Sequence, residues 1–201
     1  MNERSSIPAL FMAACAIMAI FFAAPARPSD LGDSIILIAK RQLQDRLYGS
    51  TIVLARPIGA DRHVGFIINK PTQMTLGKLF PTHEPSRKVT DPVFLGGPVS
   101  PEVIFALVQG KESPGGRSLK ILDDLYLAID SEVVDRVIEK QSTHARFFAG
   151  MVLWRPGELQ DELKKGLWYL QDAKADLVLR KQTDGLWEEL LGRSERKANA
   201  I

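Results

Sequence analysis

Thr51-Ile52-Val53-Leu54-Ala55-Arg56-Pro57-Ile58-Gly59-Ala60-Asp61-Arg62-His63-Val64-Gly65-Phe66-Ile67-Ile68-Asn69-Lys70-Pro71-Thr72 is the stretch on which the reading of the fold turns. Two apolar, β-branched runs, Ile52 to Ala55 and Val64 to Ile68, flank a segment rich in Gly, Pro and Asp. That is the composition of two adjacent buried strands joined by a loop. The second run stops at Asn69-Lys70-Pro71-Thr72, because Pro71 cannot continue a central strand and holds Lys70 in extended geometry. A strand that carries Asn69 and Thr72 to its tip can present a site. It is equally an ordinary strand ending.

Outward from there, strand-length apolar runs dominate. Ser34 to Ala39 precedes the pair, and a polar loop with a helical turn, Lys40 to Gly49, connects them. Thr75 to Phe80 predicts a short helix, Pro81 to Asp91 a polar loop and Pro92 to Leu95 a short strand, broken at Gly96-Gly97-Pro98-Val99. Val103 to Val108, Leu119 to Leu122 and Leu125 to Ile129 are separated by turn signals and predict an antiparallel meander. Asp130 then caps a helix whose Val133, Val134, Val137 and Ile138 form one stripe. Phe147 to Trp154 returns to strand. Pro156 suits the first turn of a helix carrying Leu159, Leu163 and Leu167. Leu177 to Leu179 reads as a short strand, and Thr183-Asp184 caps a last helix stopped by Gly192. Strands outnumber helices, and the helices gather in the second half. This predicts an α+β fold: a single compact domain over residues 34–192, with a mixed, mainly antiparallel central sheet and a disordered tail over 193–201.

The 201 residues are 45% hydrophobic and 25% charged with a net charge of +2, which suits one globular domain and lacks the basic footprint of a nucleic-acid binder. Arg4 precedes an uncharged run, Ile7 to Ala24, that exits through Ala24-Pro25-Ala26. Those are the three parts of a signal peptide over 1–26, followed by a linker over 27–33; the alternative is a retained membrane anchor over 7–24. The expected location is therefore exported, periplasmic or membrane-anchored. The single cysteine, Cys15, falls inside the apolar run, and the apolar residues after it are not the layout of a lipidation site. Cleavage would leave a mature chain with no thiol for disulfides, zinc or catalysis.

Leu37-Ile38-Ala39, Leu43-Gln44-Asp45, Thr51 to Leu54 and Gly65 to Thr72, followed by Gly96-Gly97-Pro98-Val99 and Trp154-Arg155-Pro156-Gly157-Glu158-Leu159, resemble the YqgE/AlgH family across residues 35–191. The resemblance implies a compact α+β fold with a central sheet and no established reaction. Some members carry the label of transcriptional regulator on genetic grounds, and most look cytoplasmic, which is the alternative location. This chain departs from the family at Arg41 and Arg46, where prolines are usual, and at Gln160, where an acid is usual. Ile58 replaces a common histidine, which weakens metal binding or catalysis in that loop.

The chemistry-bearing residues point to no reaction. His63, His83 and His144 lack metal-ligand spacing. Asp123-Asp124 reads as a turn, and Ser100, Ser113 and Ser118 have no histidine near them in sequence and no nucleophile elbow. Gly96-Gly97 can form an anion nest or a plain tight turn, and no phosphate-binding fingerprint is present. Trp154, Trp168 and Trp187 suit core anchors or an aromatic pocket. A small-ligand site is expected if Asn69, Pro71 and Thr72, Gly96 and Gly97, and Trp154, Gly157 and Glu158 converge on one concavity. No catalytic residue, cofactor or metal is assigned. The expected activity is non-catalytic binding of a small molecule or protein partner. The alternatives are a hydrolase-like enzyme with an unrecognised site, or regulation through DNA, which the charge and the absence of a helix-turn-helix oppose.

Overall fold

The continuous apolar runs of the N-terminal third become central strands because both of their faces are covered. A computed structural model describes residues 33–200; the export-like segment, Cys15 and linker residues 27–32 lie outside the described residues. Strands β1 (Ile35–Ala39), β2 (Ile52–Pro57) and β3 (His63–Ile67) run antiparallel. Next come β4 (Pro71–Thr75), α1 (Leu76–Leu79), α2 (Glu84–Arg87), β5 (Pro92–Leu95), β6 (Val99–Gln109), β7 (Ser118–Leu122) and β8 (Leu125–Ala128). The chain ends with α3 (Ser131–Gln141), β9 (Ala145–Trp154), α4 (Glu158–Lys164), β10 (Trp168–Asp172), α5 (Ala175–Val178) and α6 (Leu186–Asn199).

The sheet order is β10-β1-β2-β3-β9-β6-β8-β7, with β5 parallel to β9 and β4 antiparallel to β5. The result is a single α+β domain built on a curled, mainly antiparallel sheet. One face of β1 to β3 packs with Phe66, Phe148 and Leu107 against Leu177 and Val178 of α5 and Leu190 and Leu191 of α6. The opposite face carries Leu37, Val53, Ile67, Trp154 and Trp168 against Leu159 of α4 and the 42–50 loop. The stripe of α3 covers Ala106, Val108, Ala128 and Phe147. Asp130 caps α3 as expected, its carboxylate accepting from the Glu132 amide at 3.2 Å. Among the described residues no helix is long and apolar enough to cross a membrane.

Several elements differ from expectation. Leu177 and Val178 belong to α5, not to a strand; a three-residue apolar run cannot distinguish the two by period. The helix expected through Leu167 ends at Lys164, where Gly166 at φ 70° turns the chain into β10, a strand not anticipated. Pro156 lies before that helix, whose N-cap is Gly157, and Gly185 rather than Thr183-Asp184 takes the N-cap of α6. The last helix runs through Gly192 to Asn199, so residues 193–199 are helical rather than disordered. Ion pairs of Glu189 with Arg193 (2.8 Å) and of Glu195 with Arg41 (3.1 Å) hold the added turns. Pro71 starts β4 rather than ending the local pairing. The meander is also reordered, since β8 inserts between β6 and β7, and the 110–117 connection is long enough to cross one strand.

Arg146 on β9 is only 4% exposed among apolar neighbours. Its guanidinium donates to the carbonyls of Ile68, beyond the end of β3, at 2.7 Å and of Val178, at the end of α5. It also lies 3.7 Å from the centre of the Phe94 ring. Burial pushes its pKa down to about 9, opposed by the charge of Asp91, so the group is still a cation at neutral pH. His63 on β3 is 2% exposed, and neither ring nitrogen has a partner among the described residues. Desolvation lowers its pKa, with Asp61 opposing.

Two outcomes are expected. Arg146→Met keeps the volume but strips two carbonyls of their donor, and should lower stability by about 3 kcal/mol in urea unfolding, with Arg146→Lys recovering part of it. For His63, the unfolded chain takes up the proton first. Its contribution to stability is therefore complete above the ordinary histidine pKa and declines as pH falls below it. Urea midpoints at pH 7.5 and 5.5 should diverge more in the wild type than in His63→Phe.

Candidate functional site

A proline inside a strand marks an edge or a bulge, and β6 contains Ser100-Pro101. Between the pairs Val99↔Met151 and Ile104↔Ala149, β6 advances five residues while β9 advances two. Ser100 takes the left-handed conformation, φ 51°, which a non-glycine residue adopts only when its surroundings force it. The surroundings here are glycines. A Cβ on Gly97 would run into the Met151 backbone, and one on Gly150 (φ 70°) would meet the Gly97 carbonyl and lie 3.1 Å from Pro101 Cα. Gly96 is fixed in the same seam, accepting from the Ile67 amide at 2.9 Å and donating to the Ala149 carbonyl at 2.8 Å. Bulges re-aim side chains. This one carries Glu102 and Val103 out of the ladder.

Both residues line a groove of about 480 Å³ between the bulge, α3 and the end of α1. Its apolar walls include Phe80, Val103, Ile104, Ile129 and Val134. Phe80 is 40%, Val103 37% and Ile129 44% exposed, so three large apolar side chains meet solvent around one hollow. Glu102, Asp135, Ser131 and His83 supply its polar lining. The Nδ1 of His83 lies 2.8 Å from the hydroxyl of Ser86, which is fully buried. Size, apolar walls and a few polar groups are the ordinary makeup of a ligand site. Two other hollows suit one less well: about 20 Å³ beside Arg146, Asp91 and Lys181, and a polar depression of mixed charge at Asp33, Arg56, Lys120 and Asp123.

The residues named from sequence serve other purposes in the structure. Asn69 bridges strand ends, accepting from the Ile52 amide at 2.8 Å and donating to the Ser50 carbonyl at 3.0 Å. Lys70 donates to Leu47 and Gly49 carbonyls at 3.0 and 3.1 Å, and Asp45 accepts from the Leu47 and Tyr48 amides at 2.8 Å each. Those amides hold the Asp45 pKa low, while desolvation lowers that of Lys70 against the pull of Asp45. Pro71 pairs with Phe94, and the Thr72 hydroxyl donates to the Val93 carbonyl at 2.6 Å. Trp154 and Trp168 both donate through their indole N–H groups to Glu162, at 3.2 and 2.8 Å. Gly157 (φ 81°) is the N-cap of α4, and Glu158 accepts from the Arg155 amide at 2.9 Å.

These eight residues fall into two groups rather than one concavity. A bond from the Leu95 amide to the Lys70 carbonyl (2.9 Å) joins the Asn69–Thr72 tip to the Gly96-Gly97 break. Trp154 pairs with His63 at the far end of β3, ~20 Å along the strand from Asn69. Sequence reasoning missed Phe80, Glu102, Val103, Ile129 and Asp135. Pro101 in β6 signals the bulge that displaces Glu102 and Val103, whereas only the fold brings Phe80, Ile129 and Asp135 beside them.

The AlgH-like family (DUF179) matches residues 36–199. The chain is 31% identical over 163 residues to a UPF0301 protein of Parabacteroides distasonis, covering 78% of this chain and 81% of that one. It is 30% identical over 157 residues to UPF0301 protein Mmc1_0726 of Magnetococcus marinus, covering 76% and 83%. The fold is similar to the solution structure of the AlgH protein from Pseudomonas aeruginosa, with a TM-score of 0.67 at 19% identity over 85% of this chain and 92% of that one. It is also similar to the crystal structure of DIP2367 from Corynebacterium diphtheriae, with a TM-score of 0.65 at 16% identity over 81% and 86%. The chain belongs to the AlgH-like UPF0301 family.

Proposed function

We propose that this chain is a non-catalytic binding protein whose working site is the groove over the β6 bulge. The observation that carries this reading is the coincidence of strained backbone at Ser100 with three half-exposed apolar side chains around one 480 Å³ hollow. Strain persists where the surroundings over-determine it, and it gathers at ligand clamps. An enzyme reading has one contact in its favour, His83 with Ser86, but that hydroxyl has no exposed surface from which to reach a substrate. Regulation through direct DNA contact is disfavoured by a net charge of +2.

The cell envelope is the proposed place of action, on the strength of residues 1–26. A native N-terminus at Arg27 supports this, and intact Met1 in the cytoplasmic fraction overturns it.

Binding is tested by methyl NMR with 1-hexanol as an apolar probe. Shifts confined to Val103, Ile104, Ile129, Val134 and Ile138 are expected at millimolar probe. Val103→Ser combined with Ile129→Ser should weaken binding severalfold while changing stability little, since both positions are more than a third exposed. Unmoved methyls, or shifts spread over the whole core, would defeat the reading.

A further inference from the structure

The groove has a sign. Among the described residues its carboxylate lining is Glu102, delivered by the bulge, and Asp135, presented by α3, with no lysine or arginine beside them. Neither carboxylate has an ion-pair partner among the described residues. Charges of one sign set in low-dielectric apolar walls focus their field into the cleft and draw in the opposite charge. The hollow also offers apolar surface from Phe80, which is 40% exposed. Apolar surface from Val103, Ile104 and Ile129 lies in the same space. The two features suit two ends of one molecule.

We propose that the occupant is a small amphiphilic cation: an alkyl- or arylalkylammonium whose charged head meets Glu102 and Asp135 and whose apolar body lies against Phe80, Val103 and Ile129. This rests on the groove being the binding site. A volume of about 480 Å³ belongs to the small-ligand range rather than to a flat protein interface. The head group stays partly solvated, because both carboxylates are on the surface. Their contribution is therefore one of selectivity, about five- to tenfold in affinity for the pair. Apolar burial supplies the rest.

Three probes of equal length separate the parts: hexylammonium, 1-hexanol and hexanoate, each titrated by methyl NMR against the same protein. Hexylammonium should bind about five- to tenfold tighter than hexanol, and hexanoate more weakly than either. Raising the salt from 0.05 to 0.5 M should shrink that preference. Glu102→Gln with Asp135→Asn should abolish that preference, and a urea midpoint close to the wild type shows that the variant is folded. Equal affinity for the three probes in the wild type would overturn the cation proposal and leave the groove standing. No groove shift with any probe would overturn the groove itself.

Discussion

One buried cation holds three parts of the molecule in register. The guanidinium of Arg146 reaches from β9 to the carbonyl beyond β3 and to the carbonyl at the end of α5, and it lies over Phe94 of β5. Each of those elements arrives from a different part of the chain. A hydrophobic residue at this position would fill the space but leave both carbonyls without their donor in a medium where water does not replace it. Among the described residues no carboxylate is paired to it; Asp91, whose charge acts on it, is engaged with Lys181 at 2.7 Å. The positive charge is thus stabilised by carbonyl dipoles and aromatic faces, an arrangement a delocalised, weakly hydrated guanidinium tolerates better than a compact ammonium.

The same economy governs the segments that identify the family. Asn69, Lys70 and Asp45 spend their polar atoms on the backbone between Leu47 and Ile52. Gly96 and Gly97 permit a backbone approach to β9 that no side chain would allow. Their effect on a site is indirect. The glycine seam forces β6 to leave its ladder, and the displaced residues form one wall of the groove. A segment can be diagnostic of a family and still touch no ligand.

The sequence disclosed those parts of the structure that depend on local chemistry. The stripe and cap of α3 and the twin runs of β2 and β3 were readable because periodicity and capping are near-neighbour effects. Leu177-Val178 and the Trp168–Asp172 strand were not readable, since short runs take the conformation their tertiary partners require. The position of β8 between β6 and β7 is likewise a decision of packing, not of turn residues. Arg146 was invisible inside an apolar strand because nothing in its neighbours announces two distant carbonyls. The eight residues named from sequence carry exposed-looking chemistry, and the structure spends most of it internally. The groove is not legible in sequence because it is assembled from the segment after α1, from β6, from the turn after β8 and from α3, which only the fold brings together.

The pairing of β1 with β10 carries a consequence for how the chain is made. Ile35 lies opposite Asp172, so the first strand of the domain completes its ladder only with a strand near the end. During synthesis β1 can pair with β2 soon after both have emerged, but its outer edge stays open until about 115 further residues exist. An open, wholly apolar strand edge is a template for another chain. Sheets closed by such distant contacts also form slowly. The chain therefore has a long interval in which Ile35 to Ala39 must be kept from other strands, and the final thirty or so residues act as the closure that ends it.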